Sequence, residues 1–186
     1  MRLHVRTYLW YKLFNSLFFG LSVGSVFILY TPLEPSIFSL GGIALAVGML
    51  VVAKYYEKMM NLLVFYRMTL LVEIVALVIV VSFLIFKYHY LNALFIYASY
   101  QLTFMFGGYL VRMETLLLKK TALLSFADIL KQKGYLLGMV LSYVFYKTVE
   151  FFDIVDKQTQ VYILHVGLFM LQIIIILLVF QTFKRR

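Results

Sequence analysis

Six stretches of this 186-residue chain are each too apolar and too long to be folded into the core of a water-soluble domain. Hydrophobic residues make up 64% of the sequence, where soluble domains hold about 45–50%. Mean hydropathy is +0.96. A soluble domain of this size has too little interior to bury so many Leu, Ile, Val and Phe side chains. The lipid bilayer is the solvent that removes the difficulty, since a span needs about 20 apolar residues. The reading is therefore an all-α, polytopic membrane protein, one transmembrane domain over residues 1–186. Six helices are expected near 12–30, 38–54, 66–86, 91–111, 134–149 and 161–183. The fifth is the shortest and ends in Lys147 and Glu150, so a re-entrant helix is an alternative there. The first lacks a small-residue cleavage site and reads as an uncleaved span.

The 17 Lys and Arg residues orient these spans. With the N-terminus inside, one face carries Arg2, Arg6, Lys12, Lys54, Lys58, Arg67, Arg112, Lys119, Lys120, Lys131, Lys133, Lys184, Arg185 and Arg186. The other carries Lys87, Lys147 and Lys157. The positive-inside rule then places both termini in the cytoplasm of a cell whose inner (plasma) membrane holds the protein. Pro32 and Pro35 make the first outer connection a tight turn, because each proline disfavours helix at the preceding residue. Ser125 and Asp128 resemble a capping box, which predicts a short interfacial helix from Phe126 to Lys133 ended by Gly134. Two sets of three oppositely oriented helices are compatible with an inverted repeat.

Several chemistries are absent. Without cysteine there is no disulfide, thiolate metal site or cysteine nucleophile. No zinc-binding His-Glu-x-x-His, nucleophile elbow or phosphate-binding loop occurs. His4, His89 and His165 are too scattered for a metal site, and His165 reads as a packed histidine. Glu150, Asp153 and Asp156 read as a solvated acidic loop. No enzyme, cofactor or metal is expected, and no soluble basic domain is present to bind nucleic acid.

Small residues recur at intervals of four in the first span (Ser16, Gly20, Gly24) and the fifth (Gly134, Gly138, Ser142). The second span is dense in them, with Gly41, Gly42, Ala44, Ala46 and Gly48. Such faces let two helices approach closely. They serve either intramolecular packing or a self-association surface on the second and fifth helices. Ile173–Val179 has no small residue and is expected to face lipid. Polar residues inside spans need a partner or a wet cavity. Asn15 in the first span and Tyr97, Tyr100 and Gln101 in the fourth are the candidate substrate-binding residues; inter-helix adhesion is the alternative. Glu73, in the apolar run between Arg67 and Lys87, is expected to pair with Arg112 at similar depth, which would relieve the cost of burying its charge. A proton-coupled carboxylate is the competing reading.

Taken together, the six spans and the stretch from Gly48 to Asn61, with Gly48, Lys54 and Lys58 at the cytoplasmic loop between the second and third spans, resemble one half of a major facilitator superfamily transporter. The acidic position of that family's loop motif is not kept, Val52 or Ala53 standing near it. The resemblance implies a cavity lined by the first and fourth helices, peripheral third and sixth helices, and small-residue contacts on the second and fifth. It implies a homodimer that rebuilds a twelve-helix carrier of small solutes. The other expectation is a membrane substrate-binding subunit, similar in size and charge to those of energy-coupling-factor transporters, or an assembly subunit of a larger complex.

Overall fold

The computed structural model of the protein describes residues 2–86 and 88–184. Lys87, Arg185 and Arg186, which contribute to the expected charge asymmetry, lie outside them, as does Met1. Uninterrupted runs of Leu, Ile, Val and Phe with only two prolines give long helices. These are α1 (Val5–Leu29), α2 (Pro35–Lys54), the single turn α3 (Tyr56–Met59), α4 (Leu62–Phe86), α5 (Tyr90–Leu118), α6 (Thr121–Phe151) and α7 (Lys157–Thr182). Pro35 sits in the first turn of α2, where its missing N–H is not needed. Asp156 caps α7, its carboxylate accepting from the Thr159 backbone N–H at 2.8 Å and hydroxyl at 2.6 Å. Two short strands, β1 (Arg2–Leu3) and β2 (Phe183–Lys184), pair antiparallel and tie the two ends of the chain together.

Five of these helices, α1, α2, α4, α5 and α7, are long and apolar enough to cross a membrane. The remaining long one, α6, differs from the expectation. The predicted interfacial helix and the predicted fifth span are one continuous helix of 31 residues. Its N-cap position is Lys120, so Ser125 and Asp128 lie inside the helix instead of capping it. Gly134 does not end the helix. It is buried where α6 crosses α1, and a Cβ there would meet the Leu13 carbonyl oxygen and the Ser16 side chain. The missing side chain is used for close approach, not for chain reversal.

The helices pack in a fixed order. α1 packs against α6 and α7, α4 against α7 and α5, and α2 against α5. The α1–α6 crossing is built on Gly20 and Gly138, whose backbones touch. A Cβ on Gly20 would lie 3.0 Å from both the Gly138 Cα and the Met139 nitrogen and would meet the Tyr135 carbonyl. Gly24 lies further along the same seam, facing Tyr146 and Ser142. On the other side of the bundle, Gly41 and Gly48 of α2 receive Tyr97 and Met105 of α5. Gly42 and Ala46 do not take part. Both are exposed, and nothing lies within 4 Å of a Cβ on Gly42. They project away from α5 because they lie roughly 100–140° around the helix from the face that Gly41 and Gly48, seven residues apart, share.

The aliphatic run of α7 is split between two environments. Ile175 and Val179 are fully buried against α1 and α4, whereas Ile173, Ile174 and Leu177 are exposed. The helix is therefore a back wall of the bundle, with one edge in the core.

Candidate functional site

α1 and α5 face each other across a cavity of about 640 Å³, floored by α4 and edged by α6. Its lining on α1 runs from Tyr8 to Tyr30, roughly 33 Å at the helical rise. The volume is in the range of small-molecule sites. Asn15, Tyr97, Tyr100 and Gln101, the four residues singled out in the sequence, all line this one cavity, and so does Glu73.

Glu73 is buried at the middle of α4. Its Oε1 accepts from the Tyr11 hydroxyl and from Asn15 Nδ2, each at 2.8 Å. Its Oε2 accepts from Gln172 Nε2 at 2.8 Å, and the same Gln172 nitrogen donates to the Glu73 backbone carbonyl at 2.9 Å. Three donors and no acceptor face this side chain, the complement of an acceptor-only carboxylate. α1, α4 and α7 are thereby joined at one atom cluster. Arg112 is not among the partners. It is exposed on the far side of α5, its guanidinium over the Tyr56 ring at 5.3 Å. The expected Glu73–Arg112 pair is replaced by a set of neutral donors. These satisfy the carboxylate without a charged partner bonded to it.

The buried ion pair lies elsewhere. Lys12 Nζ donates to Glu114 Oε2 at 2.8 Å, joining α1 to α5 near the paired termini. The two side chains are only 16% and 10% exposed. Glu114 Oε1 and the Thr69 hydroxyl are buried with no hydrogen-bond partner among the described residues. The sequence did carry a signal for this ladder: Tyr8, Tyr11, Lys12 and Asn15 fall at i, i+3, i+4 and i+7, one face of α1.

At the opposite end of the cavity α1 and α5 meet through aromatic rings. Tyr30 lies edge-on to Tyr97 at 5.4 Å and to Tyr100 at 6.3 Å, and Phe38 of α2 closes on Tyr97 at 5.3 Å. The Tyr97 hydroxyl donates to the Phe38 carbonyl at 3.0 Å, so its polar end is used in tying α5 to α2. His165 lies outside the cavity. It is buried, with Nδ1 2.8 Å from the Val161 carbonyl and its ring 4.3 Å from Phe83. Among the described residues no cluster of His, Asp or Glu could hold a metal ion.

No known protein family, curated protein or solved structure matches this chain, so nothing in these comparisons links it to the major facilitator superfamily.

Proposed function

We propose that the protein is a half-size secondary transporter of small solutes, working as a homodimer in an inner (plasma) membrane. In this reading α6 supplies a sixth span through its apolar second half, and both termini are cytoplasmic. The observation that carries it is the cavity between α1 and α5. A polar centre at Glu73, Asn15 and Gln101 is bounded by an ion pair towards the termini and by edge-on aromatics towards the other face. A solute site with a separate closure at each end is what alternating access requires.

The order of packing supports an inverted repeat. Exchanging α1 with α5, α2 with α6 and α4 with α7 turns the α1–α6 contact into α5–α2 and the α1–α7 contact into α5–α4. The α4–α7 contact maps onto itself. The five principal helix contacts are unchanged by this exchange. The end helices of the row, α2 and α6, carry the exposed apolar faces: on α2, of all residues, only Val52 is buried. A second copy placed on those faces would close the cavity.

The chain has no cysteine, so Gln101→Cys gives one thiol at the centre. In nanodiscs the expected results are a mass of two copies and labelling of that thiol by a membrane-impermeant reagent. A single copy, or a thiol no aqueous reagent reaches from either side, removes the homodimeric carrier. A defined foreign membrane protein held in place of the second copy would assign the chain to a larger complex.

A further inference from the structure

The charges on the cavity wall do not cancel. Glu73 and Glu114 are both buried in it. Against them stands Lys12, already bound to Glu114, while Lys131 lies on the exposed rim. With both carboxylates ionised the buried wall carries two negative charges and one positive, a net of one negative. The two acids also differ in how they are satisfied. Glu73 has both oxygens occupied by donors. Glu114 has Oε2 on Lys12, whereas Oε1 is enclosed in the wall with only the Tyr8 hydroxyl beside it, in a contact that falls short of a full hydrogen bond. A buried carboxylate oxygen without a donor is costly. That oxygen is enclosed, so an arriving positive charge gains from the field at the Glu114 end of the wall without touching Oε1. Much of the remaining lining is aromatic, including Phe19, Tyr100 and Phe104. Ring faces attract cations, more strongly where water is excluded.

We propose that this cavity takes a monovalent organic cation, with its charged centre beside Glu114 and its apolar body along Phe19, Tyr100 and Phe104. This assignment deepens the reading of the cavity as a solute site and rests on it. An organic anion meets a wall that already holds the excess negative charge. A divalent, strongly hydrated cation over-neutralises the wall and loses its water to a largely apolar lining. One positive charge on an apolar body satisfies both the charge balance and the lining.

The test uses tetraphenylphosphonium and its anionic isostere tetraphenylborate, measured by equilibrium dialysis against the full chain in nanodiscs, with empty nanodiscs subtracted. The expected result is saturable binding of the phosphonium and none of the borate. Replacing Glu114 by Gln should weaken it about tenfold to a hundredfold, the worth of one charge-assisted contact. Glu114→Asp should retain most of it. Because Glu114→Gln leaves Lys12 unpaired, the Lys12→Met/Glu114→Gln variant is measured beside it and should also bind more weakly than the parent, by a smaller factor because Glu73 then leaves the wall one negative charge. Saturable borate binding of equal strength, or phosphonium binding unchanged in both variants lacking the acid, overturns the assignment. So does sugar or amino-acid uptake by reconstituted liposomes whose protein binds no phosphonium, a result that leaves the transporter reading standing. Glu114-dependent binding by a chain that moves no solute across liposomes supports the assignment and removes the transporter reading instead.

Discussion

Removing the carboxylate of Glu73 should unfold the protein more readily than its single-residue size suggests, and the loss should be recoverable from two other helices. Glu73→Leu strands three donors at once: the Tyr11 hydroxyl, Asn15 Nδ2 and one direction of Gln172 Nε2. A stranded buried donor costs about 1–3 kcal/mol. Inter-helix hydrogen bonds in bilayers average nearer 0.6 kcal/mol, with a maximum of about 1.7. Three such bonds therefore bracket roughly 2–9 kcal/mol before the relief of no longer burying a charge, several kcal/mol. The lower part of that range governs here, and a net loss of about 2–3 kcal/mol is expected. Gln172 retains its bond to the Glu73 backbone carbonyl, so it is only half stranded. The decisive comparison is Glu73→Leu against Glu73→Leu/Tyr11→Phe/Gln172→Leu. Removing the stranded donors together with the acceptor approaches neutrality, so the triple variant should regain about half of the loss. Glu73→Gln should fall between, because its amide keeps one acceptor and presents donors to Gln172. The assay is unfolding by rising dodecyl sulfate in mixed micelles, read from the fluorescence of Trp10, the single tryptophan. If Arg112→Gln rescues Glu73→Leu, or if the triple variant is no more stable than the single one, the donor account is wrong.

The ion pair is expected to behave in the same manner: Lys12→Met should cost about 3 kcal/mol by leaving Glu114 buried and unpaired, and Lys12→Met/Glu114→Gln should recover most of it in the same unfolding assay. Gly20→Ala should abolish the native bundle, measured as loss of a monodisperse peak, because its Cβ meets backbone atoms of α6 that cannot move aside. Gly167→Ala, with open space around it, should instead stabilise α7 by about 0.5–1 kcal/mol through helix propensity. Asp156→Ala should destabilise the start of α7 at neutral pH. Hydrogen bonds from Thr159 hold the Asp156 carboxyl below the usual aspartate range. Its contribution is thus complete above the ordinary value of about 3.9 and lost as pH falls through the lowered one. The difference between variant and parent should shrink over that acid window and persist from pH 5 upward.

Much of the helical architecture is legible because run length and composition alone decide whether a segment is long and apolar enough to cross a membrane. Where the sequence reading failed, composition had ceased to be decisive. α6 carries Asp128, Lys131 and Lys133 in its first half, and those charges read as a boundary. They are all exposed, so the helix continues through them at little cost. Gly134 strengthened the error, since glycine ends helices as readily as it allows close crossings, and only the presence of α1 distinguishes the two uses. The same ambiguity covers Gly42 and Ala46, which do not serve packing within the chain. Spacing marks small residues but not which of two adjacent faces meets a neighbour, and on α2 it is the Gly41–Gly48 face that does.

The charged groups were harder for a different reason. Glu73 was conspicuous because it interrupts an apolar run, and a buried carboxylate invites the search for a cation. The fold answers with Tyr11, Asn15 and Gln172, ordinary residues that no charge argument singles out. Lys12 and Glu114 were inconspicuous because each lies towards the end of its helix, where charges are expected to reach water. Yet α1 and α5 extend beyond their apolar segments, from Val5 and to Leu118, and the two ends meet inside the bundle. Depth along a helix axis is therefore a poor guide to burial in this protein; depth across the bundle decides it. Asn15, Tyr100 and Gln101 line one cavity because polar side chains on α1 and α5 have one common place to go, the gap between them. The excess negative charge of that gap follows from a pairing, Lys12 with Glu114, that only the three-dimensional arrangement of α1 and α5 creates.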